Sequence, residues 1–286
     1  MTYAHYIAGE WVTDDAVSIN INPSNTDDIV GEFSRGDATR VDKAVAAANA
    51  AQPDWAAASP QLRHDVLEKA SNLITSRKDE LGRLLSREEG KTLAEGIGET
   101  MRAAQVFKFF AGEAIRNVGD AVASIRPGID VTVEREAVGT IGLITPWNFP
   151  IAIPAWKLAP ALAYGNAVVM KPAELTPGCA WELAKILHEA GCPTGVFNLV
   201  MGPGSTVGAR IVEHAGIDAI SFTGSVATGN TIAVQCASTG KRVQMEMGGK
   251  NPLVVVDDAD LDVAVATAIN GAFFSTGQRC TASSRL

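Results

Sequence analysis

The stretch "IAIPAWKLAPALAYGNAVVMKPAELTPGCAWELAKILHEAGCPTGVFNLVMG", residues 151–202, decides how this chain folds. "IAIPAWKLAPALAYGN" has helical spacing, "AVVMKP" is a short β-branched run, "PGCAWELAKILHEAG" is helical again and "GVFNLVMG" strand-like again. Runs so short and apolar are buried on both faces, and the helices between them return the chain across a sheet. That pattern predicts a parallel sheet in an α/β domain.

Downstream the alternation continues. "STVGARIVEHAG" reads as helix, "AISFTG" as strand, "VATGNTIAVQCASTG" as helix, and "KRVQMEM" and "NPLVVVDD" as strands. Upstream, "DVTVEREAVGTIGLITPW" is strand-like, while the pattern from Asp37 to about Asn117 is helical. Asp37 is a candidate N-cap, Pro60 suits a first helical turn and Gly90 a helix end. Near the N-terminus "HYIAGEWV" alternates, which predicts a small hairpin before a polar stretch.

Composition narrows the function. With 286 residues, 47% of them hydrophobic, the chain can bury one large core or two smaller ones. A net charge of −8 without a basic patch argues against nucleic-acid partners. No run approaches the ~18 apolar residues of a membrane span, and "MTYAHYIAGEWV" lacks the basic start and apolar stretch of a signal peptide. A cytoplasmic protein is expected. Cys179, Cys192, Cys236 and Cys280 lie far apart and none shares CxxC spacing, so neither a metal site nor a disulfide is expected. The first three read as small buried hydrophobes. Cys280 differs, because "GQRC" sets it on a turn among small and polar residues.

Ligands of open α/β sheets sit at the carboxyl ends of strands. Two such ends are glycine-rich: "VMGPGSTVG" with Gly202, Gly204 and Gly208, and "SFTGSVATG" with Gly224 and Gly229. Glycines there admit a phosphate to a helix N-terminus, although tight strand-to-helix turns need glycine anyway. "MKPAE" puts Lys171 and Glu174 at a third strand end, either as a solvated loop or as a partner for a ribose diol. In "TPWNFP" Pro146 and Pro150 stiffen a loop where Asn148 is either part of an aromatic plug or a rigid oxyanion donor. In "MEMGGKNP" Glu246 is either a satisfied structural acid or a general base.

Together "PWNFP", "KPAE", "FTGS", "EMGGKNP" and "GQRC" resemble the aldehyde dehydrogenase superfamily, in its order and at its spacings, across the whole chain. The resemblance implies an α/β fold with a Rossmann-type parallel sheet flanked by helices. Residues 1–270 would hold an N-terminal helical segment and the NAD(P)-binding domain, with an oligomerisation strand near 130–138. Residues 271–286 would begin a catalytic domain whose remainder the chain lacks. A full-length relative would act as a homodimer or homotetramer on a small aldehyde, with no membrane or nucleic acid involved.

By the same resemblance, Cys280 is the nucleophile that forms a thiohemiacetal. Asn148 and the Cys280 amide hold its oxyanion, hydride loss leaves a thioester, and Glu246 activates the water that hydrolyses it. The dinucleotide lies along Ile144, Thr145, Pro146 and Trp147, with Lys171, Ala173 and Glu174 at the adenosine ribose. Gly204, Gly208, Phe222, Thr223 and Gly224 complete that site with Ser225 near the pyrophosphate, and so do Thr228, Gly229, Met247 and Gly248. Met247 stands where the family usually has leucine. The Glu174 charge disfavours a 2′-phosphate and points to NAD, while Lys171 leaves NADP open.

"PWNFPIAIPAWKLAPALAYGN" and "GQRCTASSR" look most like the dehydrogenases of 2-oxoglutarate semialdehyde (2,5-dioxopentanoate), with succinate semialdehyde as a neighbouring substrate. Arg279 would meet a substrate carboxylate or serve as a structural ion-pair partner. Two other readings remain: a cofactor-binding fragment without catalysis, and a thiol hydrolase. Against the hydrolase, His5, His64, His188 and His214 fall in a terminal segment and in helices.

Overall fold

The computed structural model describes residues 2–286. Five short strands open the chain: β1 (Thr2–Tyr3), β2 (His5–Ile7), β3 (Glu10–Val12), β4 (Val17–Ile21) and β5 (Ile29–Ser34). The β2–β3 pair is the expected hairpin, turning through Ala8 and Gly9 at φ 54° and 82°. Two left-handed residues in succession are what a two-residue hairpin turn of type I′ requires. Four helices follow: α1 (Ala38–Ala57), α2 (Pro60–Ser76), α3 (Lys78–Glu89) and α4 (Leu93–Ala114). Asp37 caps α1 by accepting from the Arg40 amide, Pro60 opens α2, and Gly90 ends α3 at φ 94°.

Next comes a hairpin of β6 (Asp120–Ala123) and β7 (Asp130–Val133), and then the alternating run. That run is β8 (Thr140–Ile144), α5 (Ala152–Ala163), β9 (Ala167–Lys171), α6 (Gly178–Ala190), β10 (Phe197–Leu199), α7 (Ala209–Glu213), β11 (Ala219–Gly224), α8 (Val226–Thr239) and β12 (Arg242–Met247). The chain closes with β13 (Asn251–Pro252), α9 (Leu261–Phe273) and β14 (Ser283–Arg285).

The large sheet has the order β12-β11-β8-β9-β10-β2-β3, parallel from β12 to β10 and antiparallel where the N-terminal hairpin joins. The chain starts at β8, builds outward through β9 and β10, then crosses back to lay β11 against the other side of β8. Connections therefore leave β8 and β11 in opposite directions. This reversal opens a crevice at their carboxyl ends. Side chains alternate across the sheet: Val168 and Met170 join the core beneath α2, α4, α5 and α6, while Ala167 and Val169 join the core beneath α1, α7 and α8.

Three sequence expectations need correction. "NPLVVVDD" pairs only at β13, with β14, and Val254, Val255 and Val256 are exposed outside any strand. An apolar run becomes a strand only where a neighbour accepts its backbone hydrogen bonds. Around 130–138 the strand stops at Val133, and all four residues of β7 are exposed. The polar stretch after Val12 holds β4 and β5, which form a separate sheet with β1. There Asn20 is buried and donates to Glu88 at 2.9 Å, so a polar residue faces inward and hides the alternation. No helix is long and apolar enough to cross a membrane, among the described residues.

Candidate active site

The crevice predicted by the strand order contains a cavity of about 550 Å³, lined by Ile144, Lys171, Gly204, Gly208, Phe222 and Thr228. It gathers the carboxyl ends of β8, β9 and β11 with the start of α8. Residues Gly204–Gly208 form a single π-helical turn ahead of α7, a local widening common at functional sites. Burial pushes the Lys171 ammonium down to about 8 against the pull of Glu174. Its Nζ donates to the Pro172 carbonyl at 2.7 Å, and Glu174 itself is exposed outside the lining. Ser225 caps α8 by accepting from the Thr228 amide at 3.3 Å.

These features fit a dinucleotide. The volume suits a nucleoside, and a Cβ built on Gly204 would meet nothing within 4 Å, so a ligand can approach the backbone there. Thr145 Oγ1 is buried at the end of β8 without a partner. At Gly229 a Cβ would lie 2.4 Å from Met247 Sδ, so this glycine lets β12 pack tightly on α8. Met247 is thus a wall of the fold beside the cavity. Gly224 is crowded by the Phe222 ring, whereas Gly248 has open space around it. Ala173 and Pro146 are half-buried, and Trp147 is 38% exposed.

The opposite face of β11 and β12 lines a second pocket of about 990 Å³. Ser221 and Thr223 alternate with Phe222, and Gln244 and Glu246 point the same way from β12. Cys280 and the buried Lys157 of α5 also line this pocket. Glu246 Oε1 accepts from Gln244 Nε2 at 2.9 Å, and Gln244 Oε1 accepts from Lys157 Nζ at 3.1 Å. Burial pushes Lys157 down to about 8, offset in part by the Glu246 charge.

Cys280 is exposed, and its carbonyl accepts from Asn251 Nδ2 at 2.6 Å. Asn148 Nδ2 donates to the Gln278 carbonyl at 2.9 Å, which ties the Pro-Trp-Asn-Phe-Pro loop to the turn that carries the thiol. That turn is sharp, with Ser275, Thr276 and Gly277 at φ 51°, 54° and 72°. Left-handed Ser and Thr are strained, and such strain gathers at functional sites. Arg279 is committed elsewhere, because Nη2 donates to the Asn270 and Gly271 carbonyls that end α9 and the guanidinium sits 4.8 Å from the Phe274 ring centre. A thiol and a carboxylate on one pocket, with an amide donor tied two residues from the thiol, are the parts of acyl-transfer chemistry.

Residues 11–286 match the profile described as "Aldehyde dehydrogenase family". The chain belongs to that family. It is 44% identical to the alpha-ketoglutaric semialdehyde dehydrogenase of Bacillus subtilis, covering 100% of this chain and 59% of the relative. It is 42% identical to the betaine aldehyde dehydrogenase of the same organism, again over 100% of this chain and 59% of the relative. The solved NAD-dependent aldehyde dehydrogenase from Sinorhizobium meliloti superposes with a TM-score of 0.97 at 36% identity, covering 100% of this chain and 58% of that one. The chain thus spans about three-fifths of the length of these aldehyde dehydrogenases.

Sequence reading alone missed several groups at this candidate site. Lys157 and Gln244 lie on the Glu246 pocket, and Lys91 and Glu99 lie beneath the Asn148 loop. One signal was present: in "AWKLAPA" the lysine falls on the apolar face of a helix, where a charge needs partners.

Proposed function

We propose that the protein containing this chain oxidises an aldehyde to its carboxylic acid with NAD(P), and that the aldehyde is a semialdehyde such as 2-oxoglutarate semialdehyde. The observation that carries this reading is the meeting of three distant segments. Cys280 and Glu246 share one pocket, and Asn148 is bonded to the turn bearing Cys280. The Cys280 sulfur adds to the aldehyde carbon, and the Asn148 amide with the Cys280 N–H steadies the oxygen. A nicotinamide bound through the crevice supplies the hydride acceptor for oxidation to the thioester. Glu246 then takes a proton from water, which attacks the thioester and releases the acid and the thiol.

The semialdehyde reading rests on the kinship with the Bacillus enzyme, and the similar identity to a betaine aldehyde dehydrogenase keeps choline-derived aldehydes in the panel. Since Arg279 is held by α9, its proposed part in binding a substrate carboxylate requires release from those carbonyls. Assembly as a homodimer or homotetramer through the exposed β6–β7 hairpin, in the cytoplasm, belongs to the same proposal.

The test is NADH production by the full-length protein with semialdehydes and betaine aldehyde. Turnover that a Cys280→Ser change removes is the expected result, and turnover that survives it overturns the reading. For residues 1–286 alone, a second reading is dinucleotide binding without turnover. The exposure of Cys280, Glu246 and the α9 side chains Leu261, Val263, Val265, Ile269 and Phe273 favours it.

A further inference from the structure

The loop that carries Asn148 is held from below by a buried ion pair with no part in the chemistry above. Lys91 lies in the link between α3 and α4, and Glu99 lies on α4. Their side chains are 4% and 3% exposed and pair at 2.7 Å. Lys91 Nζ also donates to the Asn148 carbonyl at 2.6 Å and stands 3.6 Å from the centre of the Phe149 ring. Glu99 uses its other oxygen to accept from the Ile151 and Ala152 amides at 3.1 Å each, where α5 begins. Glu89 approaches the same ammonium at 3.8 Å.

Two side chains therefore grip the loop through four contacts, two from each. The ammonium fixes the carbonyl of Asn148 and the face of Phe149, and the carboxylate fixes the first free N–H groups of α5. Hydrogen bonds with a charged partner are about twice as strong as neutral ones. Burial removes the water that would otherwise compete for them. Asn148 can move its side-chain amide only by rotating about its own χ angles, because its backbone is clamped.

We propose that Lys91, with Glu99, is a positioning residue for the Asn148 oxyanion donor, setting where its amide stands relative to Cys280. The proposal rests on the reading of Asn148 as that donor. An oxyanion donor stabilises the transition state only if it waits at the position the oxygen will occupy, so misplacing it slows the chemical step without weakening substrate binding. The effect must therefore travel through the Asn148 side chain and vanish when that side chain is removed.

The experiment is a double-mutant cycle in the full-length protein, read as the pre-steady-state burst of NADH at saturating aldehyde. Lys91→Met together with Glu99→Gln replaces the ion pair by neutral groups of similar shape, and the glutamine still accepts from the start of α5. This pair of changes should slow the burst by roughly tenfold or more, with the aldehyde KM and dinucleotide affinity each within about threefold. In an Asn148→Ala background the same pair should cost less than about twofold. An equal cost in both backgrounds, or no cost in the wild type, overturns the proposal.

Should the wild-type protein make no NADH with any aldehyde, the functional reading fails by itself. A crystal structure of the Lys91→Met/Glu99→Gln protein then decides the positioning. Loss of the Asn148 Nδ2 bond to Gln278 supports it, and an unmoved loop overturns it.

Discussion

The two faces of the β11–β12 ladder are built in different ways. On one face the cavity proposed for the dinucleotide is assembled from the ends of β8, β9 and β11 and the helices that follow them. On the other face Asn148, Glu246 and Cys280 come from three distant segments, each held by polar links of its own: Asn148 to Gln278, Glu246 to Gln244, which in turn accepts from Lys157, and Asn251 to the Cys280 carbonyl. The first pocket follows from strand order alone. The second depends on individual side chains holding one another in place, so single substitutions should damage it far more selectively.

The sharpest test of that contrast is Cys280→Ser in the full-length protein. Steady-state NADH formation should fall by at least about a thousandfold, since serine is a far weaker nucleophile without an activating base. Dinucleotide binding, followed by fluorescence, should stay within about twofold, because Cys280 lies outside the crevice lining. Joint loss of both would show that the two faces are not independent.

Next in size are the partners of the thiol. Asn148→Ala should slow acylation by roughly a hundredfold, the usual loss for one oxyanion donor. Glu246→Gln should instead leave the first turnover fast and stall the second, seen as a burst of NADH followed by a trapped thioester. A Glu246→Gln protein that is slow from the first turnover would move Glu246 to an earlier step.

A pH test probes the frame on the α6 side of the large sheet. Glu88 is buried, accepts from the Gly178 and Cys179 amides at the start of α6 and from Asn20, and burial pushes its carboxyl up to about 7. A folded pKa above the unfolded value of 4.5 means the native state holds the proton more tightly. Its stability contribution is therefore present at low pH and is lost as pH rises through about 7. The loss should be on the order of 3 kcal/mol from this group. Denaturant midpoints from pH 5 to pH 8 should show the decline in wild type and a flatter profile in Glu88→Gln. Parallel profiles would assign the slope to other groups.

The smallest expected effect concerns cofactor choice. Glu174 is exposed beyond the cavity lining, and an exposed charge is worth at most about 1 kcal/mol. Glu174→Gln should raise NADP use relative to NAD by no more than about fivefold, measured as the ratio of kcat/KM. A larger swing would place the carboxylate in direct contact with the ribose.

How far the sequence alone carries can be traced through these same residues. Helix starts at Asp37 and Pro60, the helix end at Gly90 and the hairpin at Ala8–Gly9 are local events, so composition and spacing announce them. The alternation from Thr140 to Met247 announces the parallel sheet because period-2 and period-3.6 patterns come from backbone geometry. The motifs around Asn148, Glu246 and Cys280 suggest the proposed chemistry, because an amide, a carboxylate and a thiol are the groups it would use.

Tertiary structure decided what depends on partners distant in sequence. Val254 to Val256 have strand composition, yet lie outside any strand because no neighbour accepts their hydrogen bonds. Arg279 sits beside Cys280 in sequence, yet its guanidinium closes the end of α9. Lys91 stands 57 residues before Asn148, and the contact between them exists only because α4 packs against α5. Local spacing determines which elements form, but a charge acquires its role only when packing supplies the group it pairs with.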